Sequence, residues 1–219
     1  MVYTPMLLSM LFVWLLPGAD LERRVPAMPP ASPSASMAAA AGNLFNQIGL
    51  EGEMDETVFA AGYTRMQQHG TSSTVVAIAD MTQASSAKRL YIIDLEKKQL
   101  IMRTYVAHGQ GSGDSMATSF SNREGSHQTS LGLYRVGAEI ISPKHGPALL
   151  LEGLERGINC KAMQREVIMH GADYVSEQFI AEHGRLGRSW GCPAVSRYEM
   201  PRMLELLANG ALLYVHGKQ

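Results

Sequence analysis

The sequence of 219 residues has few cysteines and almost no net charge. Two cysteines cannot form the dense disulfide network that stabilises many small secreted domains. With 19 basic and 20 acidic side chains the formal net charge is −1, so the chain lacks the positive excess that nucleic-acid binding needs. Hydrophobic residues make up 46%, enough for an ordinary core, which excludes a disordered chain. This length fits one domain, or one domain with appendages.

An apolar run lies close to the N terminus. Residues Met6–Leu16 read MLLSMLFVWLL, with ten apolar residues and no charge. As a helix this run would rise about 16 Å, roughly half of the ~30 Å hydrocarbon core of a bilayer. The run and the small residues after Pro17 predict a signal peptide over residues 1–19, although no Lys or Arg precedes it. The chain is then exported to the periplasm or cell wall, with membrane contact only through an uncleaved leader. A buried or interfacial N-terminal helix is the alternative.

A stretch without charge and with little bulk follows. Val25–Gly42 contains seven Ala, four Pro and three Ser. Pro and Ser interrupt helices, and small side chains offer little surface to pack. We therefore predict a flexible or extended linker over residues 20–44 and one folded domain over residues 45–219, without internal repeats.

Patterning within residues 45–219 favours strands over helices. One amphipathic helix is predicted at Asp55–His69, with Asp55 as its cap. Two later helices are expected at Ser176–His183 and Met200–Ala208, the second with Pro201 in its first turn. Short apolar runs predict seven strands: Thr74–Ala79, Arg89–Asp94, Leu100–Ala107, Gly132–Val136, Ala148–Leu151, Glu166–Met169 and Ala211–His216. The fold class predicted is a mostly β sheet assembly with a few short helices.

The main chemical signal is a histidine followed by a cysteine. An apolar run ends at His170, and Cys192 lies further on in the turn-forming segment SWGCP, residues 189–193. Gly191 allows close backbone approach to a substrate, and N–H groups of such a turn can face a developing oxyanion. Thiol and imidazole are the minimum pair for acyl transfer, and an imidazolium lowers a neighbouring thiol's pKa, which predicts a Cys⁻/His⁺ pair at neutral pH. The residues alone leave open a structural cysteine and a hydrogen-bonded core histidine.

The sequence around these two residues resembles that of L,D-transpeptidases with a YkuD-type catalytic domain. In those sequences a histidine precedes the motif Ser/Thr-His-Gly-Cys. It is closer to a divergent branch, the murein L,D-transpeptidase catalytic domain family, and the resemblance covers residues 57–217. The segments that carry it are, in order, RLYIIDL (89–95), VAHGQGSG (106–113), FSNREGSHQTSLGLY (120–134), LERGIN (154–159) and GRLGRSWGCPAV (184–195).

This resemblance implies a sandwich- or barrel-like catalytic domain in a secreted enzyme that acts on peptidoglycan stem peptides without a cofactor. It implies that Cys192 attacks the diamino-acid carbonyl of a tetrapeptide stem, that D-alanine leaves, and that an amine of a neighbouring stem resolves the thioester. His170 is then the general base, the backbone amides of Gly191 and Cys192 form the oxyanion hole, and Ser189 helps to orient His170.

Four further residues near the cysteine turn are assigned to the substrate cleft. Arg185 and Arg188 are expected to pair with a stem-peptide carboxylate, with solvated surface charge as the alternative. Tyr174 is expected to line the cleft, with core packing as the alternative. Trp190 replaces the second histidine of the wider family, so any role of that imidazole is absent. Ala194 stands at the family's Asn/Arg position, so a substrate contact there cannot be assigned.

Other kinds of site are not indicated. Cys160 is expected to be a free, partly buried thiol rather than the disulfide partner of Cys192. No HExxH or CxxC pattern marks a metal site, and Gly109–Gly113 lacks the lysine and the strand-to-helix setting of a nucleotide-binding loop. Three functional alternatives stay open: thioester chemistry with water as acceptor, as in an L,D-carboxypeptidase or endopeptidase; a non-catalytic wall-binding module; and, less favoured, a general cysteine peptidase.

Overall fold

The structure, a computed structural model, describes residues 1, 33–71 and 73–218. Apart from Met1, the predicted signal peptide over residues 1–19 lies outside the described residues, and so does the first part of the predicted linker. Among the helices that the structure describes, none is long and apolar enough to cross a membrane.

Eight strands of the described residues form one mixed sheet. The strands are β1 (Val75–Asp80), β2 (Leu90–Asp94), β3 (Gln99–Thr104), β4 (Gly132–Ser142), β5 (Gly146–Gly153), β6 (Ile168–Ala172), β7 (Ala194–Ser196) and β8 (Leu212–His216). Their order in the sheet is β3-β2-β1-β8-β4-β5-β6-β7. The sheet curls until Ala107, just beyond β3, bridges Ala194 of β7 at the opposite edge. The prediction of a mostly β, barrel-like fold is confirmed; the three-residue strand β7 was not predicted.

The two central strands are buried on both faces. β1 and β8 pair in parallel, with Val76 opposite Leu212 and Ala77 opposite Leu213. Because successive side chains of a strand point to opposite faces, Val76 and Leu212 join a cluster that contains Phe59 of the helical layer, while Ala77 and Leu213 join the second, larger cluster. Their sequences are accordingly apolar runs, apart from the terminal Asp80 and His216, rather than alternating.

Four helices occur in the described residues: α1 (Pro33–Ile48), α2 (Glu56–His69), α3 (Glu177–His183) and α4 (Met200–Leu207). The three predicted helices are confirmed. The Asp55 carboxylate accepts the Thr57 N–H at 2.7 Å and caps α2. The Ser176 hydroxyl accepts the Phe179 N–H at 3.2 Å and caps α3. Pro201 lies in the first turn of α4, where its missing N–H has no intrahelical partner to lose.

Helix α1 corrects the prediction of a flexible or extended linker for residues 33–44. Pro33 is the first helical residue, a position that tolerates proline, and Ala38–Ala41 has the highest intrinsic helix propensity. Ala41 and Phe45 are buried, and the ring of Phe45 lies 5.6 Å from that of Phe59 in α2. Packing against α2 therefore stabilises a segment whose own composition offers little bulk.

Candidate active site

Strand β6 carries the predicted histidine, and the turn before the adjacent strand β7 carries the predicted cysteine. β6 and β7 pair in parallel, with His170 opposite Ala194. The His170 N–H donates to the Pro193 carbonyl at 3.4 Å. Cys192 stands immediately before this pairing, so the register of the two strands brings the backbones of His170 and Cys192 together.

The Ser189 side chain shapes the turn that presents Cys192. Its hydroxyl donates to the Cys192 carbonyl at 2.6 Å and accepts the Gly191 N–H at 3.1 Å. The Ser189 carbonyl accepts the Gln110 N–H at 2.8 Å, and its N–H donates to the His108 carbonyl at 3.0 Å. We expected Ser189 to orient His170, but its hydroxyl and carbonyl are both engaged elsewhere.

Gly191 adopts the backbone that the sharp turn requires. Its φ is +122°, in the region that favours glycine. A Cβ there would lie 2.9 Å from the Gln128 carbonyl oxygen. Because the Gly191 N–H already binds Ser189, the oxyanion-hole role predicted for that amide does not fit this geometry. Among the described residues, the Cys192 N–H has no hydrogen-bond partner and is available to an oxyanion.

His170 is held as a neutral base. Its side chain is buried, and its Nδ1 lies 3.2 Å from the Gly171 carbonyl oxygen. Because a carbonyl can only accept, Nδ1 carries the proton and Nε2 keeps the lone pair that a base needs. Burial lowers the pKa of His170 to about 4; the Gly171 carbonyl opposes this effect, and the positive charges of Lys144, Arg197 and a protonated His145 act in the same direction as burial.

Cys192 is held as a neutral thiol. Its Sγ faces the Glu166 carbonyl at 3.8 Å. Burial raises the pKa of the Cys192 thiol, although the Ile168 N–H and the charges of Arg165 and Lys144 partly offset that effect. No hydrogen bond joins Sγ to His170 in the described residues. The prediction of a preformed Cys⁻/His⁺ pair is therefore wrong, because burial disfavours both charged forms.

Arg165 is a part of the site that the sequence did not reveal. Its guanidinium donates to the Gln128 carbonyl at 2.5 Å, to the Ser121 carbonyl at 2.8 Å and to the Ser130 hydroxyl at 3.1 Å. It also lies against Gly191, since a Cβ on that glycine would be 3.1 Å from Arg165 Nη2. A cation is thus fixed beside the cysteine turn by three oxygen atoms.

The tip of the β4–β5 hairpin reaches the site as well. The rings of His145 and His170 stack with centroids 3.7 Å apart and planes inclined by 24°. The ammonium of Lys144 lies 4.3 Å from the centroid of the Trp190 ring, a cation–π contact. Trp190 is 65% exposed and also stacks on His127 at 5.1 Å. Trp190 therefore joins the cysteine turn to the hairpin; its contact with substrate stays a prediction.

The two predicted cleft arginines share a partner within the chain. Arg185 Nε lies 2.8 Å and Arg188 Nη1 lies 3.3 Å from Asp114 Oδ1. Their role toward a substrate carboxylate stays a prediction, and a substrate would have to compete with Asp114. Tyr174 packs against Gly187, where a Cβ would lie 2.4 Å from Tyr174 Cβ. Burial raises the pKa of Tyr174 to about 12, so its hydroxyl stays neutral.

A buried pair, Arg89 and His108, contacts the cysteine turn through the His108 backbone. Arg89 is fully buried and donates to the Val106 and Gln83 carbonyls and, from Nη2, to His108 Nδ1 at 2.8 Å. Because the guanidinium can only donate, His108 is neutral and its proton is on Nε2. That Nε2 is buried near the backbone of Gly113 and Asp114. The His108 carbonyl in turn holds the Ser189 N–H, which connects this pair to the turn.

The second cysteine, Cys160, differs from Cys192 in its exposure and its hydrogen-bond partners. Cys160 and Cys192 are both free thiols. Cys160 is exposed rather than partly buried as predicted, and its Sγ accepts the Gly157 N–H and the Asn122 amide at 3.4 Å each. Within the part of the chain that the structure describes, no group of three or more His, Cys, Asp or Glu side chains is placed to hold a metal ion.

Solved structures similar to this chain include three bacterial proteins. The L,D-transpeptidase from Mycobacterium smegmatis is 13% identical over 68% of this chain and 60% of that chain, with a TM-score of 0.40. The helical cell shape determining protein Pgp2 from Campylobacter jejuni is 16% identical over 68% of this chain and 49% of that chain, with a TM-score of 0.44. The L,D-transpeptidase from Stackebrandtia nassauensis is 15% identical over 84% and 80%, with a TM-score of 0.39.

This chain spans only 60% and 49% of the lengths of the first two structures.

The sequence itself gives a more specific match than these structures. No curated protein sequence matches it. The family profile of the L,D-transpeptidase catalytic domain matches residues 51–216, which include the histidine and the cysteine turn described above. Since that match covers most of the sequence, the chain belongs to the family of L,D-transpeptidase catalytic domains.

Proposed function

We propose that this chain is a cysteine acyltransferase that acts on the tetrapeptide stems of peptidoglycan. The observation that carries the proposal is the placement of a buried neutral imidazole, His170, on strand β6 and of a thiol, Cys192, in the turn just before the paired strand β7 of an L,D-transpeptidase catalytic domain. Thiol and imidazole together are sufficient for acyl transfer through a thioester.

In the first half-reaction Cys192 Sγ attacks the carbonyl carbon of the diamino acid in a donor stem, and His170 Nε2 accepts the thiol proton. The Nδ1 bond to the Gly171 carbonyl supports this direction of transfer, because it leaves Nε2 unprotonated. The free Cys192 N–H faces the oxyanion. The bond to D-alanine then breaks, its nitrogen takes the proton from His170, and a thioester remains.

In the second half-reaction an amine of a neighbouring stem attacks the thioester and gives a proton to His170. Cys192 leaves as thiolate and recovers that proton, so the enzyme returns to its neutral resting state and the two stems are joined through an amide. Water as the attacking group would instead give hydrolysis, the reaction of an L,D-carboxypeptidase or endopeptidase.

The proposed substrate, peptidoglycan, also indicates in which cellular compartment the protein acts. We place the chain outside the cytoplasm, in the periplasm or cell wall, on the basis of the apolar run Met6–Leu16 and of a substrate that belongs to the wall. Cell fractionation of the full chain and of a variant without residues 1–19 tests this: the full chain should be recovered outside the cytoplasm and the variant inside it.

Intact-protein mass spectrometry tests the chemistry. The full chain is incubated with a disaccharide-tetrapeptide, or with a carbapenem as an acylating probe. We expect an acyl adduct on the wild type and none on Cys192→Ala. Cys160→Ala is the matched control and should keep the adduct, since the exposed Cys160 thiol is bound by Asn122 and the Gly157 N–H rather than by the cysteine turn or His170. A wild type that forms no adduct and leaves the stem unchanged would refute the proposal and favour a wall-binding module. Product masses with and without an acceptor stem distinguish transfer from hydrolysis.

A further inference from the structure

An imidazole that the sequence did not assign lies against the proposed base. His145 belongs to the tip of the β4–β5 hairpin, residues 143–145, and its N–H donates to the Ser142 hydroxyl at 3.3 Å. Gly146 follows with φ +73° and returns the chain into β5. The His145 ring thereby meets the His170 ring nearly face to face at 3.7 Å.

The buried ring of His170 has few polar contacts. Among the described residues its one side-chain hydrogen bond is that from Nδ1 to the carbonyl of the next residue, at 3.2 Å. One bond to a backbone carbonyl leaves a ring free to tilt about that bond. The nearest acidic side chain in sequence, Asp173, is occupied by Arg197 through bonds of 2.8 and 3.2 Å. The flat face of His145 is therefore the aromatic contact that lies against the plane of His170.

We propose that His145 is a positioning residue for His170: its ring holds the plane of the base and keeps water from one of its faces. The inference rests on the proposed function, because it gives His170 the role of general base. The wider family has a second histidine next to the cysteine, and this chain has Trp190 at that position. In this chain the proposal therefore assigns the positioning role to the hairpin tip.

Burial and nearby positive charges disfavour protonation of both rings. Two imidazolium ions at this distance would repel each other strongly, so at most one ring carries a charge. Lys144 on the hairpin and Arg197 after β7 act on both rings, and burial, the largest effect, lowers the pKa of each. Both rings are then neutral at neutral pH. The imidazolium that forms on His170 during turnover therefore faces an uncharged ring rather than a second cation.

The surroundings of His145 indicate what its removal would do. A cavity of about 280 Å³ is lined by His145, Gly171, Arg197 and the beginning of α4. Loss of the His145 ring would extend this cavity to the face of His170 and admit water there. The imidazolium of His170 would become better solvated, and its pKa would rise toward the ordinary value.

Acylation of the full chain by a carbapenem, followed from pH 4 to 8, tests the proposal. His145→Ala should lower the second-order rate constant by roughly 10- to 100-fold, the loss typical of a misplaced catalytic group. Its acid limb should move upward from the wild-type midpoint toward about 6.5, the ordinary pKa of histidine. His145→Phe keeps a flat ring and should restore both the rate and the position of the acid limb.

Pro143→Ala is the matched control, because it alters the same turn at an exposed residue and should change neither quantity. Thermal unfolding of all variants shows whether the hairpin change is merely destabilising, an effect that would leave the acid limb in place. The proposal is overturned if His145→Ala has the wild-type rate and acid limb, or if His145→Phe behaves like His145→Ala. A wild type without an adduct removes the proposed function and this inference together, whereas a normal wild type with an unaffected His145→Ala removes only the inference.

Discussion

The Ser189 hydroxyl donates a hydrogen bond to the carbonyl oxygen of Cys192 across 2.6 Å. It also accepts the Gly191 N–H, so one side chain closes the turn that presents the nucleophile. Ser189→Ala removes both bonds and should lower the free energy of unfolding by about 1–3 kcal/mol. It should slow acylation of Cys192 as well, since the turn loosens. The acid limb of the pH–rate profile should stay in place, because the hydroxyl does not contact His170.

Ser189→Thr serves as the control, since it keeps a hydroxyl at the same position and should restore most of the stability and rate. Thermal unfolding and stopped-flow acylation measure the two quantities. If Ser189→Ala moved the acid limb, the orienting role suggested by the sequence would be right and the role assigned by the structure wrong.

Gly109 marks the closest approach of another backbone segment to the cysteine turn. A Cβ at Gly109 would lie 2.3 Å from the His127 carbonyl oxygen and 2.8 Å from Gly191 Cα. Its own backbone is ordinary, with φ −68° and ψ 142°, so alanine would be opposed by crowding alone. Gly109→Ala should cost about 1–3 kcal/mol of stability, as overpacking does, and should displace Gly191 enough to abolish rapid acylation.

Gly137→Ala is a suitable comparison. A Cβ there meets Leu150 Cβ at 3.3 Å, far from the cysteine turn. We expect a small change in unfolding temperature and an unchanged acylation rate. Equal losses of rate in the two variants would show that the effect at Gly109 is not local to the site.

Local patterns in the sequence were sufficient for most of the fold. Asp55 and the apolar face behind it predicted α2, and short apolar runs predicted seven of the eight strands. His170 and Cys192 could be found because each stands in a short segment with a recognisable order of residue types. Both kinds of signal are local, so a single sequence displays them.

Contacts between distant segments could not be predicted in this way. Arg165 lies in a polar turn region and His145 precedes a glycine, and neither position carries a pattern that points to Cys192 or His170. Their place depends on how the sheet curls and on where the β4–β5 hairpin ends. The charge state of the Cys192–His170 pair was mispredicted for a related reason: burial decides it, and burial is a property of the folded chain.

The thiol of Cys160 should lose its proton at lower pH than that of the proposed nucleophile, Cys192. The Gly157 N–H and the Asn122 amide lower the pKa of the exposed Cys160 below its ordinary value of 9.0. Burial raises the pKa of Cys192 above the same value. Because the thiolate is the reactive form, iodoacetamide should modify Cys160 at lower pH than Cys192. Peptide mass spectrometry after timed alkylation reports each thiol separately.

Arg165 should set part of that difference. Arg165→Met keeps the length of the side chain and removes its charge, so the midpoint for alkylation of Cys192 should rise while that of Cys160 stays unchanged. The control is Arg156→Met, which removes a charge from an exposed arginine of the same segment. A Cys192 midpoint below that of Cys160, or one that ignores Arg165, would contradict the electrostatics described here.

Acid should begin to destabilise the fold through its buried histidines at a pH above the ordinary pKa of carboxylates. Burial, aided by the Arg89 charge, lowers the pKa of His108 to about 4, and burial lowers that of His170 to about 4 as well. In the unfolded chain both return to about 6.5. Between these values the unfolded state binds more protons than the folded state, so the free energy of unfolding falls as pH falls from about 6.5 to about 4.

For His108 alone the loss should approach about 3 kcal/mol at the lower end of that window. His108→Asn keeps an acceptor for the Arg89 guanidinium but cannot titrate, so its stability should depend less steeply on pH than that of the wild type. Urea unfolding at pH 7 and at pH 4.5 measures the difference, with the exposed His69→Asn as a matched control that should keep the wild-type slope. Parallel stability curves for wild type and His108→Asn would mean that His108 is not held neutral by the fold, and that the Arg89–His108 pair does not support the cysteine turn in the manner inferred from its geometry.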